Sequence, residues 1–200
     1  MLKIGITGNI GSGKSITAKV FEILGVKVFY ADAEAKKVMT ADEVLIDGIK
    51  KTFGNDAYLT DGQLNRKYIA GIVFKNEEDL KKLNALVHPA VFRAFDEWAK
   101  AYTDEPYVIK EAAVLFESGS YQFCDKTLLV AAPLEMRLKR VMKRDLISRA
   151  EVEAREARQF TEERKKELAD YILYNDDTQL VIPQILQLHS QFLQLAGTQS

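Results

Sequence analysis

The chain has 200 residues, of which 47% are hydrophobic and 28% charged, a composition typical of one packed globular domain. Its 28 basic residues nearly balance its 29 acidic residues, so no overall field attracts nucleic acid or an anionic membrane, and we expect neither as a partner. A single cysteine, Cys124, excludes an intramolecular disulfide and, with no secretory signal pattern at the N-terminus, favours a cytoplasmic location. No apolar run approaches the roughly 18 residues that a membrane span needs.

The predicted secondary structure alternates short apolar runs with longer helical stretches. Runs rich in Val, Ile, Leu and Tyr predict strands over residues 2–7, 26–30, 107–109, 127–130 and 171–173. Strands that alternate with helices predict an α/β fold with a parallel five-stranded sheet. The first helix is expected over residues 15–24, with Gly25 as its left-handed C-cap, and Ser148 and Glu151 have the spacing of a capping box. An apolar stripe near the C-terminus predicts a helix that packs on the sheet.

Two segments interrupt this alternation. Residues 32–103 are far longer than one crossover needs, and they contain several helical patterns but no convincing pair of strands. Residues 133–169 carry dense charge at helical spacing with few large apolar side chains after Met142, which predicts a solvated helical pair. We interpret the first as a substrate-binding insertion and the second as a lid, which leaves residues 1–31, 104–132 and 170–200 as the core of one domain.

The segment after the first predicted strand carries the sharpest motif. The residues Gly8, Asn9, Ile10, Gly11, Ser12, Gly13, Lys14 and Ser15 match the phosphate-binding pattern G-x-x-x-x-G-K-[ST]. In such a loop the backbone N–H groups converge on phosphate oxygens, the lysine reaches the β- and γ-phosphates, and the final hydroxyl coordinates Mg²⁺. A glycine-rich turn without a ligand is the alternative, which the strand–loop–helix context disfavours. The chain has neither a D-x-x-G segment nor an N/T-K-x-D guanine reader, so phosphoryl transfer is predicted rather than a GTPase switch.

Two carboxylates are predicted at the same edge of the sheet as this loop. Asp32 directly follows the second strand, where it could face an acceptor hydroxyl, and it is also suited to cap a helix over residues 33–39; the two roles are compatible. Lys36, one helical turn later, could hold a substrate phosphate or form a surface ion pair. Glu111 ends the third strand segment, the position of the acidic residue that holds Mg²⁺ in P-loop enzymes.

One histidine and three arginines have more than one interpretation. His88 precedes Pro89, which predicts the end of a helix, and a lone histidine in that place is more often structural than catalytic. Arg137, Arg140 and Arg144 are spaced by three and four residues, so they predict one helical face. That face either closes on phosphates or is a solvated surface.

The residues together resemble the dephospho-CoA kinase family over nearly the whole chain. The resemblance rests on an ordered set of segments: Thr7-Gly8-Asn9-Ile10-Gly11-Ser12-Gly13-Lys14-Ser15, Ala31-Asp32, His88-Pro89, Leu115-Phe116-Glu117, Arg144-Asp145 and Ala169-Asp170-Tyr171-Ile172-Leu173-Tyr174-Asn175. It implies a three-layer P-loop kinase fold with a helical CoA-binding insertion and a helical lid. It also implies ATP and Mg²⁺ as cofactors and phosphorylation of the ribose 3′-hydroxyl of dephospho-CoA, the last step of coenzyme A synthesis. A nucleoside or nucleoside-monophosphate kinase is the alternative, since only acceptor preference separates the two; the sequence predicts no oligomeric state.

Residue by residue, the resemblance implies a role for each candidate. Asp32 is implied to activate the 3′-hydroxyl, and the phosphate and Mg²⁺ apparatus is implied to comprise Lys14, Ser15 and Arg140 or Arg144. His88 falls in the acceptor-binding region, and Asn175 follows the last strand near the adenine of ATP. The chain departs from the family pattern at Tyr30, where many members have the first Asp of an Asp-Ala-Asp run, at Ala113, where a proline is usual, and at Met136, where a glutamine is common.

Overall fold

The structure, a computed structural model, describes residues 1–198, which divide into two compact units. The first unit comprises Met1–Tyr30 and the described residues from Ala99 onward, and the second comprises Ala31–Trp98. Residues 199 and 200, which close the predicted core range 170–200, lie outside the described residues.

A parallel five-stranded sheet forms the centre of the first unit, as the sequence predicts. Its strands are β1 (Leu2–Thr7), β2 (Lys27–Tyr30), β3 (Tyr107–Glu111), β4 (Lys126–Ala131) and β5 (Tyr171–Tyr174). They lie in the order β2-β3-β1-β4-β5, and every neighbouring pair is parallel. The central strands are buried along almost their whole length, which is why they appear in the sequence as apolar runs without alternation.

Helices connect the strands and extend beyond them. In chain order they are α1 (Lys14–Ile23), α2 (Ala31–Ala41), α3 (Glu43–Phe53), α4 (Arg66–Val73), α5 (Glu77–Lys100), α6 (Leu134–Asp145), α7 (Arg149–Glu156), α8 (Glu162–Leu168) and α9 (Val181–Gly197). Helix α1 ends as predicted, because Gly25 takes φ 91° and Val26 N–H donates back to the carbonyl of Phe21. The predicted capping box also forms, with Ser148 as the N-cap of α7.

The core of the first unit lies between the sheet and the helices α1 and α9. Phe21 of α1 and Ile185 and Phe192 of α9 are fully buried against β1, β3 and β5. The predicted packing of the C-terminal apolar stripe on the sheet is therefore confirmed. No helix in the described part of the chain is long and apolar enough to cross a membrane.

The second unit is helical, with α2, α3, α4 and most of α5 around apolar side chains such as Leu45, Ile49 and Ile69. In this unit an antiparallel bridge joins Tyr58 to Leu64, in a segment for which the sequence predicts no pair of strands. The same unit contains Asp32, Lys36 and His88.

Three local predictions are wrong. Helix α5 continues through His88 and Pro89 instead of ending there, because buried side chains on both sides of the proline, Val87 and Val91 among them, stabilise one continuous helix against the local preference. Helix α2 begins at Ala31, so Asp32 lies in its first turn and is not its N-cap. The stretch 133–169 folds into α6, α7 and α8 rather than a helical pair.

Candidate active site

The phosphate-binding loop lies between β1 and α1, where the sequence predicts it. Gly11 takes φ 83°, and a Cβ there would lie 2.6 Å from the carbonyl oxygen of Arg137. A side chain at this position would therefore collide with backbone, and the conformation itself is one that only glycine adopts readily. Gly11, at a variable position of the pattern, thus allows the loop to lie directly against α6.

The backbone N–H groups of the loop fall into two sets. Ser12 N–H donates to the carbonyl of Asn9 at 3.0 Å, and Ile10 N–H donates to Oε1 of Gln159 at 2.9 Å. Within residues 1–198, the N–H groups of Gly11, Gly13, Lys14 and Ser15 have no hydrogen-bond acceptor in the protein. The second set lies at the start of α1, where the helix dipole adds partial positive charge. These N–H groups can therefore donate hydrogen bonds to phosphate oxygens.

Lys14, Ser15 and Glu111 meet at the end of the loop. Lys14 Nζ lies 2.8 Å from Oε1 of Glu111, and the Ser15 hydroxyl donates to the same oxygen at 2.9 Å. Glu111 ends β3, and its side chain is only 3% exposed. The register of the sheet pairs it with Ile6 of β1 and Tyr30 of β2, so the carboxylate lies at the carboxyl edge of the central strands.

These oxygen atoms fit a magnesium ion that also takes ligands from its substrate. Mg²⁺ prefers carboxylate and hydroxyl oxygens, and it is usually bound by one or two protein groups together with phosphates and water. In the described residues, no group of three or more His, Cys, Asp or Glu side chains could hold a metal by itself. The donor set of Ser15 and Glu111 therefore suits a phosphate-bound Mg²⁺ and not a closed structural metal site.

Asn175 and Arg140 border the loop on the side of β5. The side-chain amide of Asn175 donates to the carbonyl of Ser12 at 2.7 Å, and Nη1 of Arg140 donates to the carbonyl of Asn175 at 3.1 Å. Arg140 is also 3.5 Å from a carboxylate oxygen of Asp177. The structure thus brings the predicted residues Asn175 and Arg140 to the phosphate-binding loop.

The three arginines of α6 do not share one exposed face. Arg144 is 63% exposed and pairs with Asp145 at 2.7 Å, which lowers the pKa of that carboxyl. Arg137, in contrast, is 3% exposed and pairs with Glu156 at 2.7 Å. The spacing places the three arginines on one side of α6, as predicted, but Arg137 is buried together with Leu138 and Val141 and so does not belong to a solvated surface.

One buried lysine in the first unit belongs to no motif that sequence reasoning could detect. Lys165 of α8 is fully buried, and its Nζ lies 3.0 Å from Oε1 of Glu117. Burial lowers the pKa of Lys165, and the neighbouring Glu117 carboxylate opposes that effect. In the sequence, Lys165 is one cation in a charge-rich helix, a pattern typical of a solvated surface.

The candidate substrate residues lie in the second unit. Asp32 and Lys36 are exposed on the first turns of α2. His88 is partly exposed in α5, with its ring stacked near that of Phe92. Tyr30, the departure that precedes them, belongs to the first unit and donates its hydroxyl to Glu22 at 2.9 Å. Burial and the Glu22 carboxylate both raise the pKa of Tyr30, so its phenol stays protonated.

Comparisons with known proteins agree on one family. The family profile described as dephospho-CoA kinase matches residues 2–180. A dephospho-CoA kinase of Salinibacter ruber is 41% identical over 180 residues, which cover 89% of this chain and 90% of that protein. A crystal structure from Thermus thermophilus superposes with a TM-score of 0.79 at 38% identity, covering 96% of each chain. The dephospho-CoA kinase from Campylobacter jejuni superposes with a TM-score of 0.65 at 27% identity, covering 98% of this chain and 94% of that one.

Proposed function

This chain belongs to the dephospho-CoA kinase family, and from that membership and the geometry of its phosphate-binding loop we propose how its residues carry out the ATP-dependent phosphorylation of dephospho-CoA. The reaction transfers the γ-phosphoryl group to the ribose 3′-hydroxyl and gives coenzyme A and ADP. The observation that carries the residue-level proposal is the meeting of Lys14 and Ser15 at the buried carboxylate of Glu111.

The phosphates of ATP bind to the second set of loop N–H groups, those of Gly11, Gly13, Lys14 and Ser15. Lys14 stabilises the negative charge that moves with the γ-phosphoryl group, since an ammonium group already in place needs no rearrangement during transfer. The remaining loop residues, Gly8, Asn9, Ile10 and Ser12, fix the shape of the loop. Asn175 borders the adenine, a role supported by its hydrogen bond to the carbonyl of Ser12.

Ser15 and Glu111 would hold Mg²⁺ together with phosphate oxygens. Bound there, the ion would neutralise charge on the β- and γ-phosphates. The carboxylate of Glu111 also pairs with Lys14, whose Nζ lies 2.8 Å from Oε1. The hydroxyl of Ser15 lies on the first turn of α1, next to the N–H groups that receive the phosphates.

Asp32 accepts the proton of the ribose 3′-hydroxyl. In the transfer step the 3′-oxygen forms a bond to the γ-phosphorus, the bond from that phosphorus to the bridging oxygen of ADP breaks, and the proton passes to the Asp32 carboxylate. The proposal is supported by the exposure of Asp32 in the first turn of α2, directly after β2, and by the family resemblance. Lys36 and His88 bind the substrate, and residues 32–103 form the CoA-binding insertion.

Residues 133–169 act as a lid over the nucleotide. Arg140 and Arg144 supply positive charge to the transferring group when the lid closes. The position of Arg140 beside Asn175 supports its part in this role, since that contact already places its guanidinium at the border of the loop. We propose a cytoplasmic location on the ground of the single thiol, Cys124, whose pKa burial raises to about 11.

An acceptor panel tests the proposed function. The purified chain is incubated with Mg-ATP and dephospho-CoA, adenosine, AMP, CMP or shikimate in turn, and acceptor-dependent ADP formation is measured. We expect turnover with dephospho-CoA and a product that carries one added phosphate on the ribose. Faster phosphorylation of AMP or CMP would replace this function with that of a nucleotide kinase.

A Lys14→Ala variant is the matched control for the panel, because Lys14 contributes charge to the transferring phosphate and little to the core. We expect kcat to fall roughly 10²–10³-fold, the range for loss of one preorganised electrostatic contact, with an unchanged circular dichroism spectrum. Lys19→Ala, at an exposed position of the same helix, should keep wild-type turnover. Near-normal turnover of Lys14→Ala would contradict the phosphate role.

A further inference from the structure

The last residue of α7 and the residues that follow it toward α8 contact the first half of the phosphate-binding loop. We call residues 156–160 the junction segment. Gln159 accepts a hydrogen bond from Ile10 N–H at 2.9 Å through Oε1 and donates through Nε2 to the carbonyl of Ala113 at 3.1 Å. One side chain therefore joins the loop that follows β1 to the segment that follows β3.

The side chain of Asn9 adds a second connection to the same segment. Asn9 is 2% exposed, and its amide nitrogen donates to Oε1 of Glu156 at 2.8 Å and to the carbonyl of Phe160 at 3.0 Å. Asn9 and Ile10 are thus held from outside the loop, whereas the second set of N–H groups has no protein acceptor within the described residues. The junction segment and the phosphates use different parts of the loop.

Charged groups hold the junction segment in place. Oε2 of Glu156 pairs with the buried Arg137 of α6 at 2.7 Å. Phe160 N–H donates to Oε1 of Glu117 at 2.8 Å, and the same oxygen lies 3.0 Å from Nζ of the fully buried Lys165 of α8. Buried ion pairs of this kind permit one arrangement much better than others, since separating the partners leaves a charge without compensation. The segment therefore has a fixed place relative to α6, α8 and the loop after β3.

Gln159 suits the bridging position because an amide is both an acceptor and a donor. A carboxylate there would accept from Ile10 N–H and repel the carbonyl of Ala113. A hydrocarbon of the same length would leave Ile10 N–H without its side-chain partner, whereas the carbonyl of Ala113 would keep Nζ of Lys165 at 3.3 Å.

We propose that Gln159 is a positioning residue for phosphoryl transfer, which sets the phosphate-binding loop relative to the end of the predicted lid. This inference rests on the proposed function. The hydrogen bond of Gln159 to Ile10 N–H fixes the position of Ile10, and it thereby sets the positions of the N–H groups that bind the phosphates. Because the junction segment connects α7 and α8, the same bridge couples the position of these helices to the loop.

The first test is a Gln159→Met variant, which keeps side-chain length and removes both hydrogen bonds. We expect kcat/KM for ATP to fall roughly tenfold, with KM for dephospho-CoA changed less than about twofold, because the loss concerns the loop and not the acceptor. Gln187→Met, at an exposed position of α9, is the matched control and should match the wild type. Wild-type kinetics in Gln159→Met, or a lower melting temperature with wild-type kinetics, would overturn the inference and show a structural role only.

The second test uses Gln159→Glu, which can regain the bridge when protonated. A neutral carboxyl group accepts from Ile10 N–H and donates to the Ala113 carbonyl, as the amide does. The charged groups that surround it are Glu156 of α7, Glu117 of the loop after β3, Lys165 of α8 and Arg137 of α6. All of them are also present in the wild type, so we compare the ratio of variant to wild-type kcat/KM for ATP at each pH.

We expect the ratio for Gln159→Glu to rise as the pH is lowered from 7 to 5, the range in which a glutamate with an ordinary pKa of about 4.3 begins to take up a proton, and the ratio for Gln159→Met to stay constant. If the two ratios changed with pH in the same way, the proposed role of the hydrogen bond to Ala113 would be overturned. A wild-type chain that does not phosphorylate dephospho-CoA would refute the proposed function instead, so the two failures are distinguishable.

Discussion

At the residue scale, the site depends on how the buried negative charge of Glu111 is compensated. Glu111 faces two hydrogen-bonding partners, Lys14 and Ser15, on a single oxygen. A carboxylate that is 3% exposed is costly to bury unless it is paired, and these partners provide the pairing. The same contacts bring Lys14 and Ser15, the residues proposed to bind phosphate and Mg²⁺, to one oxygen atom.

Asp32 gives the sharpest prediction at this scale. Asp32→Asn keeps the size of the side chain and removes the charge, so loss of the proposed base should lower kcat by roughly 10²–10⁴-fold. The low end of that range is expected, because the transition state of phosphoryl transfer is loose and positioning contributes much of the rate. Steady-state kinetics with dephospho-CoA measure the effect, and Asp47→Asn, at an exposed position of α3, is the control. A variant that retains more than about a third of wild-type kcat would assign Asp32 a structural role in α2.

At the element scale, α6 has two faces with different tasks. Its buried side, with Arg137, Leu138 and Val141, packs against the loop and α7, whereas Arg140 and Arg144 remain accessible. In the proposed lid, the buried side would be the packed anchor, and Arg140 and Arg144 would be the charged groups that move toward a ligand. The two roles are therefore separated along a single helix.

Hydrogen exchange tests the lid directly. Binding of a non-hydrolysable ATP analogue should protect residues 133–169, because lids are among the less stable parts of a structure and become ordered around a ligand. Protection should be absent in α9, which lies in the core whether or not nucleotide is bound. Equal exchange of residues 133–169 with and without the analogue would indicate a rigid surface element.

At the scale of the whole molecule, stability and catalysis depend on different regions of the first unit. Phe192 of α9 is fully buried and stacks against Phe21, with edge contacts to Tyr107 and Tyr171. None of these residues belongs to the phosphate-binding loop. The aromatic cluster packs α1 and α9 on the sheet, away from the loop side chains that would contact ATP.

Phe192→Ala should therefore destabilise the protein without impairing its chemistry. We expect a loss of about 3–5 kcal/mol in the free energy of unfolding, the usual cost of removing a buried aromatic ring. Chemical denaturation measures it, and kcat of the folded protein at low temperature should remain close to that of the wild type. Leu193→Ala, one position along and 40% exposed, should change stability by no more than about 0.5 kcal/mol. A large fall in kcat with unchanged stability would contradict this separation.

The sequence by itself determined the features that local patterns encode. The glycines and lysine of residues 8–15, the five apolar strands, the cap at Gly25 and the box at Ser148 each follow from neighbouring residues, and each is confirmed. The family resemblance, the P-loop kinase fold and the activity followed from the same motifs, and the comparisons confirm them. The residue roles of Asp32, Lys36, His88 and the lid arginines stay predictions.

Only the tertiary structure decided which surfaces meet. The order of the strands, the burial of Arg137, the helix that continues through Pro89 and the bridge of Gln159 all depend on contacts between segments far apart in the chain. A residue's local sequence sets its intrinsic preference, whereas desolvation and packing against distant groups outweigh preferences of about 1 kcal/mol per residue, and even the larger penalty of an internal proline. The sequence alone therefore does not distinguish a lysine exposed to solvent from one that is fully buried beside a carboxylate, as Lys165 is.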